Sequence, residues 1–399
     1  MNPRLALVCS LVSVTACTSA PTDRTPYAVR DSVGVRIVEY SALPAQSSLT
    51  LADAPTYRHG SRTGDFLFTL PWVGALQPDG GALVWDAGSR ELVRLSASGE
   101  LLPTLARRGR GPGEVEHVSS ILAVGADSLI IEDEVNGAIT TFADERMVSA
   151  TSMGEIDALR LPLGVIGRDS MGRLLLGTTG FNSRFEEPWL QGQMVVFDTH
   201  SRLLDTVGTY DFVARMDRSQ PMSPFAPVGT LTAAGGRFVV GRTDRPELRW
   251  IRPDGSVAQS VRWPAPPQRA TEDLLVEYLD EMRVSLRRAN PGLSAADFDR
   301  FIAEQSARFA LDPGAPLPLW ISLDGDAVGR LWLSEFTPTP RRAVPRYSVI
   351  GADGSWLGSV VMPPKFRLLD ANAQAVLGVQ RDDDDVEHIV VYPLVRVQP

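Results

Sequence analysis

The fold is decided by residues 72–105, which read WVGALQPDGGALVWDAGSRELVRLSASGELLPTL. This stretch divides into short runs, A to D, at 72–77, 82–85, 91–95 and 100–105. Turn residues separate the runs, and Asp79-Gly80-Gly81 and Ser98-Gly99 accept the positive φ that tight hairpins require. Residues 72–105 therefore predict a meander of four antiparallel β-strands.

The same turn-then-strand pattern recurs along the chain. The turn signals begin at Asp79, Gly125, Asp169, Ala234, Asp324 and Asp370, with spacings of about 46, 45, 64, 91 and 46 residues. A period near 40–50 residues is typical of propeller blades. We therefore predict an all-β fold, a six-bladed β-propeller of four-stranded antiparallel blades. Two β-sandwich domains are the alternative, but a sandwich has no reason to repeat at a fixed period.

The last repeat ends close to the C-terminus without a clear fourth strand. An unpaired outer edge would invite aggregation, so a strand from elsewhere is needed to close the ring. The sequence offers two candidates near the N-terminus, 35–40 (VRIVEY) and 48–51 (SLTL).

The first residues are typical of a bacterial lipoprotein leader. Arg4 gives a positive start, 5–14 is a short apolar stretch, and Val14-Thr15-Ala16 precedes Cys17. We predict a signal peptide at 1–16, a lipid on Cys17 within a tether at 17–30, and the propeller at 31–399. The alternative is an ordinary secretory peptide cut after Ala16 or Ala20. The leader predicts a cell-envelope protein held by its lipid, and Thr18 favours the outer membrane, facing either side.

Two motifs resemble those of a known family. Asp31-Ser-Val-Gly-Val-Arg-Ile-Val-Glu39 follows the leader, and Arg107-Arg-Gly-Arg-Gly-Pro-Gly-Glu114 follows the first repeat. Together they resemble the six-bladed β-propeller lipoproteins of environmental bacteria, which are related to NHL-repeat propellers. The resemblance covers essentially the whole mature chain. It implies the fold but no activity, because propellers host binders, hydrolases, lyases and oxidoreductases.

Long connections fall on one end of the predicted propeller, which we call the loop face. In an up-and-down meander, the B–C loops and the D-to-A links share this end, and the A–B and C–D turns share the other, the turn face. The long segments are 178–192, 208–227, 264–318, 334–345 and 380–387. Function usually lies on loops that a rigid scaffold positions, so the loop face is the predicted functional face.

The longest connection is predicted to contain a helical hairpin at about 270–312, between blades 4 and 5. Thr271 is a suitable N-cap, apolar residues recur at helical spacing, and Asn290-Pro-Gly292 separates two helices. The hairpin either packs on the propeller rim or acts as a lid over the central funnel or as a partner-binding pair of helices.

Charged residues and one tryptophan on these connections are the candidate ligand contacts. They are Arg108, Arg110 and Glu114 in the glycine-rich link, Arg184, Glu186, Glu187 and Trp189 in one B–C loop, and Arg341 and Arg342 in another. The alternative is ordinary surface charge with salt-bridge partners and, for the link, a blade-connecting turn. We read Trp72, Trp85, Trp320 and Trp332 as blade core.

The last B–C loop contains Asp382, Asp383, Asp384 and Asp385. Calcium takes oxygen ligands, so this run is a candidate metal site, although it lacks the Asp-x-Asp-x-Asp-Gly pattern. The alternative is a solvated acidic loop. No other cofactor is predicted.

Composition narrows the function without naming it. The chain has 399 residues, 44% of them hydrophobic, and a net charge of −9. It is therefore globular, and no nucleic-acid partner is predicted because duplex binders need Lys and Arg on phosphates. The four histidines share no ligand spacing, and catalytic residues cannot be named. The leading hypothesis is an envelope lipoprotein that binds a ligand or protein partner on its loop face. The alternatives are an envelope hydrolase or lyase with a site in the funnel, and a structural assembly module.

Overall fold

The computed structural model describes residues 27–64, 66–124, 128–152, 163–178, 189–198, 202–214, 223–290, 292–307, 313–337 and 343–397. The N-terminal strands are β1 (Tyr27–Ser32), β2 (Val35–Tyr40), β3 (Leu49–Leu51) and β4 (Tyr57–His59). The leader, Cys17 and most of the tether lie outside the described residues and stay predictions.

Six antiparallel sheets then follow one another along the chain. Blade 1 consists of β5 (Pro71–Leu76), β6 (Ala82–Asp86), β7 (Glu91–Leu95) and β8 (Leu101–Leu102). Blade 2 consists of β9 (Val118–Val124), β10 (Ser128–Asp133), β11 (Ala138–Ala143) and β12 (Arg146–Ser152). Blade 3 consists of β13 (Leu163–Arg168), β14 (Leu174–Thr178), β15 (Trp189–Phe197) and β16 (Leu203–Ala214).

The second half of the ring follows the same plan. Blade 4 is built from β17 (Gly229–Ala234), β18 (Arg237–Arg242), β19 (Glu247–Ile251) and β20 (Val257–Arg262). Blade 5 is built from β21 (Trp320–Gly325), β22 (Leu331–Glu335), β23 (Arg346–Ile350) and β24 (Trp356–Val361). Blade 6 begins with β25 (Phe366–Ala371), β26 (Ala375–Arg381) and β27 (Glu387–Arg396). The chain is therefore a six-bladed β-propeller, as the repeat predicted.

The core lies between neighbouring blades because the apolar second strands are covered on both faces. Leu83 and Trp85 of β6, for example, pack with Ile131 of β10 in the next blade. Trp85, Trp320 and Trp332 are buried, which confirms their prediction as core. Trp72 is not core: its side chain is 51% exposed because β5 lies at the central channel, where the space beside an inner strand is solvent.

Buried polar side chains at the ends of second strands fix the links between blades. Asp86 accepts hydrogen bonds from the backbone N–H groups of Thr69 and Leu70, just before β5. Asp133 does the same for the N–H groups of Glu116 and His117, just before β9. Such groups would cost free energy if they were buried without partners, so blades 1 and 2 each hold the link that enters them.

Both chain ends build blade 6 and thereby close the ring. Antiparallel pairing places β3 and β4 end to end along the outer edge of β27. The predicted strand at 48–51 is thus one of the closing strands. The other candidate, β2, instead pairs in parallel with β20 and extends blade 4, with β1 outside it. Local pattern did not distinguish the two candidates because both are short apolar strands.

The predicted helical hairpin is present between blades 4 and 5, counted from Pro71. It comprises α1 (Glu272–Ala289), which Thr271 caps, and α2 (Ala295–Ser306). Leu275 packs with Ala270 and with Phe225 and Leu317, which lie in the links that lead into β17 and β21. Among the described residues, no helix is long and apolar enough to cross a membrane.

Ring closure can be tested by two deletions. Removing residues 27–60 deletes β1 to β4, exposes the edge of β27 and takes the buried side chains of Leu49 and Tyr57 out of the core. We expect the product to aggregate on size-exclusion chromatography because a long apolar edge is left unpaired. Removing only 27–41 leaves blade 6 complete and should give a monodisperse protein with a lower melting temperature. Equal behaviour of the two deletions would contradict this account of closure.

Candidate functional site

The inner strands β5, β9, β13, β17, β21 and β25 surround a central channel. At the turn face, the A–B turns enclose a chamber of about 800 Å³. A second chamber of about 390 Å³ lies toward the loop face, where the inner strands begin. Both chambers are lined by Asp326 and Asp370, so they are parts of one channel.

Each inner strand is the edge of its sheet, so some of its backbone N–H groups have no ladder partner, and acidic or hydroxyl side chains of the preceding blade bind three of them. Glu132 of blade 2 accepts a hydrogen bond from Val165 N–H (2.7 Å), beside the bulge in β13. Thr232 of blade 4 accepts one from Gly325 N–H (3.1 Å). Asp370 of blade 6 accepts one from Leu76 N–H (2.7 Å). These side chains join neighbouring blades, whose sheets share no backbone ladder.

Two aspartates give the loop-face chamber its acidic character. Asp324 and Asp370 both line it, and Asp324 accepts a hydrogen bond from Ser322 (3.1 Å). Asp324 is exposed to the solvent of the channel, but the protein around the channel desolvates its carboxyl group and raises its pKa to about 6. The same cause raises the pKa of Asp370 to about 7, with nearby Asp326 and Asp324 adding repulsion.

Arg367 and Trp72 complete the chamber. The Arg367 guanidinium donates to the backbone carbonyls of Pro71 and Trp72, the latter at 3.2 Å, so it bridges blades 6 and 1. Burial lowers its pKa, although the group stays a cation at neutral pH. The exposed indole of Trp72 lies on the same chamber wall. The chamber thus combines two acids, one cation and one aromatic surface.

Asp326, at the junction of the two chambers, is neutralised by its own blade. Its carboxylate accepts from Arg330 Nε (2.5 Å) and from the Trp332 indole N–H (3.0 Å). Asp326 therefore fixes the A–B turn of blade 5, and Asp324 and Asp370 are the channel acids without an arginine ion pair among the described residues.

The glycine-rich link is a folded connection between blades 1 and 2. Glu114 folds back to accept from Gly111 N–H (2.8 Å), and Arg108 lies 3.5 Å from Glu116. Arg110 is exposed. The Gly109 carbonyl accepts from the Asn136 side chain of blade 2. These contacts agree with the alternative of a blade-connecting turn, and a ligand role for Arg108, Arg110 and Glu114 stays a prediction.

The other predicted contacts divide between described and undescribed residues. Trp189 is buried at the seam of blades 3 and 4, with the Arg242 guanidinium 4.0 Å from its ring centre. Arg242 is itself paired with Asp211 and Asp244. Arg184, Glu186, Glu187, Arg341 and Arg342 lie outside the described residues. None of the described candidates lines either channel chamber.

The aspartate run forms a tight turn. Asp382 accepts from the N–H groups of Asp384 and Val386 and pairs with His388 (3.0 Å), and this last hydrogen bond lowers the pKa of Asp382. Lys365 approaches Asp383 at 3.3 Å. Among the described residues, no three His, Cys, Asp or Glu side chains are placed so that they could hold one metal ion. This applies to Asp383, Asp384 and Asp385 as well. Calcium binding here stays a prediction.

The channel acids were visible in the sequence but were assigned to turns. Asp324 and Asp370 stand one repeat apart, at the ends of inner strands β21 and β25. In the sequence, each of these aspartates is the first residue of a turn signal, and Asp is common in turns. Alignment of the repeats would have placed both at the same inner-strand position, where a side chain faces the channel.

No family model matches this chain, and no curated protein matches it. Among solved structures, the chain is similar to a putative exported protein of Bacteroides fragilis, at 11% identity over 91% of this chain and 100% of the other, with a TM-score of 0.49. It is similar to regucalcin of Agrobacterium tumefaciens, at 14% identity over 88% and 97%, with a TM-score of 0.41. It is similar to virginiamycin B lyase of Staphylococcus aureus, at 7% identity over 86% and 99%, with a TM-score of 0.42.

Burial of the acids predicts an unusual pH dependence of stability. Glu132 is fully buried, one of its carboxylate oxygens has no partner among the described residues, and its pKa is raised to about 7 by burial. Because its folded pKa lies above the unfolded one, the folded state binds more protons, and stability falls as pH rises from about 4.5 to 7. Ionisation of Glu132 alone lowers the free energy of unfolding by about 3 kcal/mol over this pH range.

We expect Glu132→Gln to reduce the fall in melting temperature between pH 5 and pH 8, because an amide does not ionise. Glu134→Gln, at a neighbouring half-exposed carboxyl, is the matched control and should leave the fall unchanged. The assignment is wrong if the melting temperature of Glu132→Gln depends on pH as steeply as that of the unchanged protein.

Proposed function

We propose that the chain is a cell-envelope lipoprotein, held in the outer membrane by a lipid on Cys17, whose propeller binds a small ligand with an amine group. The observation that carries the proposal is the loop-face chamber, where Asp324, Asp370, Arg367 and Trp72 share about 390 Å³. A cavity of this size, with a few convergent polar groups, is typical of small-molecule sites.

The charges of the chamber favour a cation. Above pH 7 the two aspartates together carry two negative charges and Arg367 carries one positive charge, so the chamber has a net charge of about −1. An ammonium group would pair with Asp324, which accepts a single hydrogen bond among the described residues, from Ser322. The Trp72 indole offers its ring face to the same cation. Arg367 would accommodate a carboxylate on the ligand, which makes an amino-acid-like zwitterion the best fit.

The location rests on the leader. A positive start, a short apolar stretch and small residues before Cys17 support lipidation, and the membrane is then reached through the lipid. Arg184, Glu186, Glu187, Arg341 and Arg342, which the sequence assigns to loops and which lie outside the described residues, remain candidates for contacts with the ligand or with an envelope protein.

An envelope hydrolase or lyase is the second candidate, and Asp324 favours it. A carboxyl group with a pKa of about 6, inside a chamber and with few fixed hydrogen bonds, can act as a general acid or base near neutral pH. Chemical conversion of a bound amine ligand, followed by mass spectrometry, separates this candidate from simple binding.

The ligand class can be tested with small amines. We expect lysine or a diamine to bind at pH 8 and to bind about tenfold more weakly at pH 5, where the channel acids are protonated. Carboxylic acids of the same chain length that lack the amine group should not bind. Isothermal titration calorimetry at both pH values measures the effect, and stabilisation by ligand gives an independent reading from the melting temperature.

Asp324→Asn should abolish amine binding while the melting temperature without ligand stays close to that of the unchanged protein. Asp254→Asn removes the same charge from an exposed turn of blade 4 and should leave binding intact. Amine binding that survives Asp324→Asn, or that is lost equally in both variants, would exclude the chamber as the site.

A further inference from the structure

The N-terminal hairpin is an addition to the propeller rim. Blade 4 has six strands in the order β1, β2, β20, β19, β18, β17, so β1 is the strand farthest from the channel. The first described residue, Tyr27, belongs to this outermost strand. The segment that carries Cys17 therefore joins the folded body at the rim of blade 4, not at either mouth of the channel.

The hairpin is a rigid part of that rim. Tyr40 of β2 donates its hydroxyl to the Gly354 carbonyl (3.0 Å) and accepts from Trp356 N–H (2.5 Å), which ties blade 4 to blade 5. Tyr27 stacks beside Tyr40, with ring centres 5.0 Å apart. An anchor on the segment before Tyr27 therefore also fixes the position of the propeller.

The tip of the hairpin is chemically unusual. Val33 has a φ of 51° and is fully exposed, and Gly34 follows it with a φ of 78°. A β-branched residue is disfavoured in this left-handed region, where Asn, Asp or Gly is preferred. Val29 on β1 is also 43% exposed. In water, neither the exposed apolar side chain nor the disfavoured backbone conformation of Val33 stabilises the fold. Both are consistent with a tip that an apolar or interfacial surface covers.

We infer that the rim hairpin β1–β2 lies against the surface of the lipid bilayer that anchors Cys17. This inference depends on the lipid anchor of the proposed function. Residues 18–26, nine residues, separate Cys17 from Tyr27. At full extension, a chain of nine residues spans at most about 30 Å. Val29 and Val33 are exposed and suit the interfacial region of a bilayer. Arg30 and Arg36 are exposed too, but Arg30 lies 3.8 Å from Glu39 and Asp31 is also exposed, so the charges of the hairpin balance.

This arrangement has a consequence for the channel. With the rim of blade 4 on the bilayer, both chambers stay open to the aqueous space, and blade 1 lies across the ring from the membrane. A ligand could then enter from either face without crossing lipid.

The test uses the full lipidated chain in vesicles of phosphatidylethanolamine and phosphatidylglycerol that carry a headgroup nitroxide quencher. Cys17 is acylated, so a single added cysteine accepts a fluorophore. Val29→Cys reports on the hairpin, and Leu101→Cys, 44% exposed on the outer strand of blade 1, is the matched control. We expect several-fold stronger quenching at position 29 than at position 101.

Equal quenching at the two positions, with the protein still floating with the vesicles, overturns the inference and leaves the anchor intact. Failure of the unlabelled chain to float with the vesicles overturns the anchor itself, and the inference with it. Energy transfer between fluorophores on separate copies at position 29, without lipid quenching, would assign the hairpin to a second copy and overturn the inference.

A second variant separates membrane contact from folding. Val33→Asn places a residue that tolerates positive φ at the tip, so we expect an equal or higher melting temperature in detergent together with weaker quenching at position 29. Val135→Asn removes another exposed valine, in blade 2, and should not change the quenching. Unchanged quenching in Val33→Asn would contradict a role of the tip at the membrane.

Discussion

Closure of the ring is the constraint on which the rest of the structure depends. Each blade buries its apolar faces only against two neighbours, so an open ring would leave two blades half uncovered. The chain satisfies this constraint by placing β3 and β4, from its N-terminal part, on the edge of β27. Because these strands are distant in sequence, closure joins the two ends of the fold and makes every blade depend on it.

Closure also explains the polar groups in the channel. Inner strands meet around the axis without a shared backbone ladder, and as edge strands they leave N–H groups that need partners. Glu132, Thr232 and Asp370 supply these partners between blades. At the seam between blades 6 and 1, Asp370 and Arg367 both bind β5. The residues that line the proposed ligand chamber are thus partly the residues that hold the ring together.

The loops and the central channel differ in the contacts that they offer a ligand. The predicted loop residues that the structure describes are occupied by internal contacts, such as Glu114 with Gly111 and Trp189 with Arg242. The channel instead concentrates charge in a small enclosed space. Enclosure strengthens electrostatic interactions, so two aspartates in the channel can matter more than a larger number of charges on exposed loops.

The sequence by itself determined the number of blades, their strand order and the helical hairpin. These features depend on short-range patterns: turn residues followed by apolar runs, repeated at a near-constant period. Only the tertiary structure decided which N-terminal strand closes the ring, that Trp72 faces the channel, and that Asp324 and Asp370 share a chamber. The physical reason is that these facts depend on contacts between blades. A strand pattern indicates which residues share a face of one blade. It does not indicate which side chains of other blades lie opposite them across the channel.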